Sequence, residues 1–216
     1  MKSLIQSEFK EIGLEDMLSQ LGEDMTKDIL SSFMCPQNED VQKFLKEKAI
    51  LFSQKEISKT YLVFWEAKES KFGKGQKELV GYYAIGHKPI KIPRETPLGR
   101  MTSSKWREIC RIANERSSST ECILSSHMIG QLGKNYCNAN NHLISGKDLL
   151  QMALQKIVEI RKLAGGKVVF LECEDEEKIL KFYKNNEFEV FGKRILDGDE
   201  TDIKGSYLMQ LYRYLE

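Results

Sequence analysis

Between Ile123 and Cys173 the apolar pattern changes period repeatedly, and this constrains the fold more than any other stretch. Cys122 to Leu132 reads as a strand, and a polar loop, Gly133 to His142, follows it. Ser145 and Asp148 then form a Ser-x-x-Asp capping box, and Leu149, Leu150, Ala153, Ile157 and Ile160 line one helical face. Gly165 and Gly166 end that helix, and Val168 to Cys173 is a compact apolar strand. Strands and helices interleaved in this way define a mixed α/β domain, not a repeat protein.

The rest of the chain extends the pattern. Met1 to Lys27 is polar, with Leu14, Met17 and Leu21 at helical spacing, so residues 1–28 read as a short helix or an ordered arm. Ile29 to Phe33 reads as a short strand. Asn38 is placed to cap a helix whose apolar face is Val41, Phe44, Leu45, Ala49 and Phe52. Thr60–Trp65 and Glu78–Ile85 flank a polar loop with Gly73 and Gly75, the pattern of a hairpin. From Gly86 to Glu121 the pattern breaks around Pro89, Pro93 and Pro97, and only Trp106–Ala113 looks helical. Glu176–Asn185 reads as a short helix, with Phe188–Phe191 and Tyr207–Tyr214 as closing strands. A chain of 216 residues holds one such domain without requiring a second, so residues 1–216 are taken as one.

Charge excludes some functions. The formal net charge of +1 gives no whole-molecule field for nucleic acid or an anionic membrane, so a polyanion preference would need a local patch. The start, MKSLIQSEFKEIG, has no apolar signal core, and no apolar run approaches the length of a membrane span. The expectation is a soluble cytoplasmic protein. Cys35, Cys110, Cys122, Cys137 and Cys173 contain no Cys-x-x-Cys pair, and His87, His127 and His142 are dispersed, so no metal is expected.

The chemistry concentrates at the start of the long helix. A helix N-terminus offers unpaired amides and the positive end of the dipole, which suits a pyrophosphate. Ser145, Gly146 and Lys147 stand there; Gly146 permits close backbone approach and Lys147 adds positive charge. A capped helix after a strand is also ordinary architecture.

Several segments together resemble the Gcn5-related N-acetyltransferases. Ile129-Gly-Gln-Leu-Gly-Lys134 is similar to the family's bulged fourth strand, and Asn141-His-Leu-Ile-Ser-Gly-Lys-Asp-Leu-Leu150 to its phosphate turn and the helix that follows. Gly146 matches the last glycine of that turn, while His142 and Ile144 stand in place of the earlier ones. Val168 to Phe188 resembles the fifth strand and next helix, ending in Phe-Tyr-x-x-x-Gly-Phe. Phe182, Tyr183 and Phe188 match, Glu187 replaces the glycine, and Asp175 stands where an Asn or Asp often opens the helix. Phe33 to Ala49 resembles a Phe-x-Cys-Gly-Asn…Phe-Leu…Ala segment of a bacterial branch related to toxin–antitoxin acetyltransferases.

The resemblance implies a mostly antiparallel central sheet with flanking helices and a V-shaped splay between two parallel strands, the acyl-CoA N-acyltransferase fold. It implies acetyl-CoA as cosubstrate and a primary amine as acceptor. The coenzyme would meet Gln131, Leu132, Gly133 and Lys134 along the strand, Asn141, His142, Ile144, Ser145, Gly146 and Lys147 around the turn, and Asp175 and Phe182 beyond it. Tyr183 would protonate the departing thiolate as general acid, and an amide near Leu132 would serve the oxyanion. Tyr183 packed against Ile179 and Phe182 as a core residue is the plain alternative. Glu172 and Glu174 lie near the expected reaction centre, but neither is singled out as base; a water chain would serve as well. The departures at His142, Ile144 and Glu187 also admit a degenerate relative that binds without catalysis.

Other templates fail: there is no Gly-x-Ser-x-Gly elbow, and Gly73-Lys-Gly75 lacks the Lys-Ser/Thr of a phosphate loop. The acceptor side of the family coincides with the most basic stretch. Lys88, Lys91, Arg94, Arg100, Lys105, Arg107, Arg111 and Arg116 stand against Glu95, Glu108 and Glu115. An RNA backbone, as in an aminoacyl-tRNA, would suit it, and so would an acidic protein, the coenzyme's phosphates or plain solvent. A homodimer is compatible with the sequence.

Overall fold

The computed structural model describes residues 9–66, 77–96, 98–113, 120–198, 200, 202–203 and 205–215. Seven strands, β1 (Phe9–Gly13), β2 (Ser58–Glu66), β3 (Lys77–Pro93), β6 (Glu121–Lys134), β7 (Val168–Cys173), β9 (Tyr207–Tyr214) and β8 (Glu189–Ile195), are hydrogen-bonded in that order, and two short strands, β4 (Glu95–Thr96) and β5 (Gly99–Arg100), pair with each other. The described pairings are antiparallel for β1 with β2, β7 with β9 and β8 with β9, and parallel for β6 with β7. Mixed, mostly antiparallel and flanked by helices, this is the sheet that the family resemblance implies. The chain divides into two compact units, residues 1–85 with 130–155, and 86–129 with 156–216.

The first unit opens with β1 (Phe9–Gly13), which pairs with β2 (Ser58–Glu66) in a register that sets Phe9 opposite Trp65. Between them lie α1 (Leu14–Leu21), α2 (Glu23–Ser31), α3 (Glu39–Lys43), a π-helical turn (Phe44–Lys48) and α4 (Ala49–Gln54). Gly22, at φ +80°, breaks α1 from α2. Asn38 caps α3 as expected, its side chain accepting a hydrogen bond from the Val41 amide at 3.0 Å. The strand expected at Ile29–Phe33 is instead the end of α2 and the turn after it. Thr26 and Leu30, one helical turn apart, are both buried, and that period won over the β-propensity of Ile29. Leu14, Leu30, Phe33, Leu45, Leu62 and Tyr82 form the heart of this unit's core. Each such burial contributes roughly 1.5–3 kcal/mol.

Two strands and one helix run through both units. β3 (Lys77–Pro93) extends eight residues past the expected end, because Ile90 and Ile92 alternate with exposed Lys91 and so continue a period of two across Pro89. The loop expected around Gly73 and Gly75, and Pro97, lie outside the described residues. β6 (Glu121–Lys134) is followed by a 3-10 segment, Cys137–His142, within the expected polar loop, and then by α6 (Gly146–Ala164).

The second unit also holds β4 (Glu95–Thr96), β5 (Gly99–Arg100), α5 (Ser103–Ile112), β7 (Val168–Cys173), α7 (Glu177–Lys184), β8 (Glu189–Ile195) and β9 (Tyr207–Tyr214). Its core joins Trp106 and Ile109 of α5 to Cys122 and Leu124 of β6, with Phe170, Phe191 and Tyr212. Among the described residues no helix is long and apolar enough to cross a membrane.

Candidate active site

β6 and β7 pair over a short length only: Ser126, His127 and Met128 with Val168, Val169 and Phe170. Beyond Met128, β6 continues to Lys134, and beyond Phe170, β7 continues to Cys173, with no further β6–β7 pair among the described residues. The parallel ladder therefore ends midway along both strands.

In the first unit, the end of β6 leads through a braced loop to α6. Gly133 is buried, and a Cβ there would lie 2.4 Å from Val41 Cγ1 and 3.3 Å from Phe33 Cζ, so any larger residue would force a shift. Half-buried Leu132 precedes it. Gln131 Nε2 donates to Asp40 Oδ2 at 2.8 Å, tying the strand to α3. Lys134 directs its ammonium into the loop, donating to the Asn141 carbonyl at 2.8 Å and the Ile144 carbonyl at 3.2 Å. Asn135 accepts from the amides of Met34 and Cys137 and donates to the Leu79 carbonyl. Asn140 donates to Glu78 and to that same carbonyl. Asn138 and Ala139 take left-handed backbone at φ +53° and +60°, which costs most at the alanine.

This bracing sets the start of α6. The Ser145 hydroxyl accepts from the Asp148 amide at 3.1 Å and donates to Asp148 Oδ2 at 2.6 Å, completing the capping box. Among the described residues, the amides of Gly146 and Lys147 have no acceptor, and both Ser145 and Lys147 are exposed. Ile144 turns its side chain into the core at 3% exposure, while His142 stays exposed. The sequence-derived residues from Gln131 to Lys147 thus belong to one continuous braced segment, buried at Gly133 and Ile144, that ends in amides without an acceptor among the described residues. Sequence reasoning missed the supporting role of Lys134, Asn135 and Asn140, whose polar character in a loop gave no sign of it.

In the second unit, Tyr183 sits on α7 with its ring against Phe182 (centroids 5.1 Å apart) and Phe188 (5.6 Å). It is half-buried, and its hydroxyl has no hydrogen-bond partner among the described residues. Burial, with the neighbouring Cys173, raises its pKa, so the phenol keeps its proton at neutral pH. Burial, with Asp175 and Glu174 beside it, likewise pushes the Cys173 thiol up to about 12. The carboxylates nearby are mostly taken. Glu172 accepts from Arg194 Nε at 2.8 Å and Gln210 Nε2 at 2.9 Å, and Arg194 also pairs with Glu200. Asp175 accepts from the Tyr207 hydroxyl at 2.6 Å and from Lys193; that hydrogen bond is the main reason its pKa is lowered. Glu174, at 8% exposure, has no side-chain partner among the described residues.

Glu187, where the family has glycine, takes φ +67°, the backbone that glycine prefers. Arg213 sustains it, pairing with Glu187 Oε2 at 2.5 Å and donating to the Asn186 carbonyl at 3.0 Å. In the basic stretch, Lys105 is bound to Glu189 at 2.8 Å and Lys91 lies 3.9 Å from Glu121. Arg100, Arg107 and Arg111 are exposed and form no ion pair among the described residues, and Arg116 lies outside them. Those residues contain no group of His, Cys, Asp and Glu that could hold a metal ion.

No family model and no curated protein sequence matches the chain. Solved structures do. A tyrosine-to-phenylalanine variant of KacT superposes with a TM-score of 0.57 at 17% identity, covering 94% of each chain. AtaT complexed with acetyl-methionyl-tRNA gives 0.55 at 17% identity over 93% of each. AtaTR bound with acetyl-CoA gives 0.51 at 15% identity, over 94% of this chain and 92% of that one. The fold is that of the Gcn5-related N-acetyltransferases. Within it, the structural neighbours are toxins of toxin–antitoxin systems, the branch that the Phe33–Ala49 segment resembles.

Proposed function

We propose that this protein is an acetyl-CoA-dependent N-acetyltransferase that transfers acetyl to a primary amine. The observation carrying this reading is the end of β6. There the parallel ladder stops at Met128, and the strand runs on to a braced turn and a helix start with free amides at Gly146 and Lys147. An extended pantetheine arm finds backbone partners along Gln131–Lys134, and a diphosphate finds the helix dipole, the two amides and the Lys147 ammonium. Asn141, His142 and Ile144 supply the turn's backbone, and Asp175 and Phe182 remain in the proposed coenzyme set.

In the reaction, a neutral amine attacks the thioester carbonyl, and the tetrahedral oxyanion takes a hydrogen bond from the amide near Leu132. The carbon–sulfur bond then breaks, and the thiolate takes the proton of Tyr183, our candidate general acid. The Tyr183 hydroxyl, still protonated at neutral pH and without a hydrogen-bond partner among the described residues, supports that role. Glu172 is a poor base because Arg194 and Gln210 already occupy its carboxylate; Glu174 is better suited. The acceptor we favour is the α-amine of an aminoacyl-tRNA, because exposed Arg100, Arg107 and Arg111 offer charge to an RNA backbone. The AtaT complex with acetyl-methionyl-tRNA supports the same choice. The antitoxin complexes of these neighbours make an antitoxin a further candidate partner.

A second reading, a binding module without turnover, is favoured by the inward side chain of Ile144 and by the use of the Lys134 ammonium within the loop. Calorimetric titration with acetyl-CoA and coenzyme A separates the two. Binding is expected, and silence at millimolar ligand defeats the enzyme. Tyr183→Phe should then lower turnover on aminoacyl-tRNA about 100-fold with little change in coenzyme affinity. Unchanged turnover removes Tyr183 from its role, and absence of acetylated aminoacyl-tRNA by mass spectrometry removes that acceptor.

A further inference from the structure

Two of the five cysteines stand apart from the rest. Cys110, partly exposed on the last turn of α5, and Cys122, fully buried at the start of β6, bring their sulfurs to 2.7 Å. Both belong to the second unit and to one apolar cluster, in which Trp106 and Ile109 seat α5 beside Cys122 and Leu124. Among the described residues no other cysteine meets a second one. Of the pair, Cys110 is the one an outside disulfide reaches, since Cys122 is fully buried. Neither Cys110 nor Cys122 has a part in the proposed acetyl transfer, and the inference does not depend on it.

We propose that Cys110 and Cys122 form a thiol pair that a low-molecular-weight disulfide, of the glutathione disulfide type, converts into an intramolecular disulfide. The accessible Cys110 thiolate attacks one sulfur of the small disulfide. A mixed disulfide forms on Cys110, and one molecule of small thiol leaves. Cys122 then attacks the neighbouring Cys110 sulfur, and its proton passes to the departing small thiolate, which leaves as the second small thiol. Overall two protein thiols become one disulfide, and the small disulfide is reduced to two thiols. The geometry favours the second step because Cys122 is already beside its target and shielded from competing oxidants. The product ties the end of α5 to β6, fixing the helix that carries Arg107 and Arg111.

The test uses the full chain in its native state. The protein is incubated with glutathione disulfide, quenched in acid, unfolded, alkylated and digested with trypsin, and the peptides are mapped by mass spectrometry. Arg111 and Arg116 place cleavage sites between the two cysteines, so a bridge appears as a cross-linked pair. The expected result is loss of two alkylatable thiols from five, both at Cys110 and Cys122, reversed by dithiothreitol. Cys122→Ala should stop at the mixed disulfide on Cys110, and Cys110→Ala should leave Cys122 unmodified. Recovery of both residues alkylated from the wild-type chain overturns the proposal. So does a lasting mixed disulfide on wild-type Cys110, or a bridge from either residue to Cys35, Cys137 or Cys173.

Discussion

The segment from the end of β6 to the start of α6 and the segment from β7 to β8 use polar groups in opposite ways. In the first, side chains serve backbone: Lys134, Asn135 and Asn140 hold loop carbonyls and amides, and the helix donors at Gly146 and Lys147 are left over. In the second, side chains serve one another: Glu172 with Arg194, Asp175 with Tyr207, and Glu187 with Arg213. A ligand that brings negative charge and accepts hydrogen bonds finds partners in the first segment, whereas in the second most acids are already neutralised. The difference separates a segment whose polar side chains support its backbone from one whose polar side chains neutralise one another, although both resemble functional motifs of the same family.

The comparison breaks most readily at Gly133. Its position fixes the line of β6 against α3, and a Cβ would meet Val41 at 2.4 Å. Val41 is held from both sides, its amide donating to Asn38 and its carbonyl accepting from the Tyr82 hydroxyl at 2.5 Å, so it yields little. Gly133→Ala should cost about 3 kcal/mol in urea denaturation, and Val41→Ala in the same chain should restore part of it. A loss below about 0.5 kcal/mol would mean that the strand is free to shift and that the bracing of the first segment is overstated.

Arg194 tests the second segment. Its guanidinium reaches Glu172, whose side chain is 7% exposed, and pairs with Glu200. Arg194→Met leaves Glu172 with Gln210 alone and should cost about 2 kcal/mol at pH 7. The pH dependence has a definite sign. The hydrogen bond from Arg194 holds the Glu200 pKa below its ordinary 4.5. Its contribution is therefore complete above that value and disappears as pH falls through the lowered one. The gap between wild type and variant should narrow below about pH 4; a gap constant from pH 7 to 3 would show that Arg194 acts through packing.

These residues also show how much the sequence disclosed. The capping box at Ser145 and the cap at Asn38 were legible because local hydrogen bonds follow from local residue types. The mixed, mostly antiparallel sheet with its flanking helices was legible through the family resemblance. Less visible were the features set by partners distant in sequence. The bond from Asn135 to Met34 spans 101 residues, and the polar stretch Phe9–Gly13 becomes a strand only because β2 is there to pair with it. Ile29–Phe33 failed for a related reason: a five-residue segment with apolar Ile29, Leu30 and Phe33 fits a strand or a buried helix turn, and the neighbouring Thr26 decided for the helix.

The smallest expected effect bears on the closest motif match. Glu187 holds φ +67°, a conformation costing an ordinary residue about 1 kcal/mol. Its ion pair with Arg213, in which the Glu187 side chain is 75% exposed, returns only a few tenths of that. Glu187→Gly should therefore stabilise the protein by about 0.5 kcal/mol, less than the full strain because glycine also loosens the unfolded chain. Glu187→Ala should destabilise it slightly, since alanine keeps the strain and lacks the ion pair. The opposite signs, read as shifts of the urea midpoint at constant slope, separate backbone from charge. If both variants lose stability equally, Arg213 and not the backbone governs this turn, and the second segment depends on its ion pairs more than its geometry suggests.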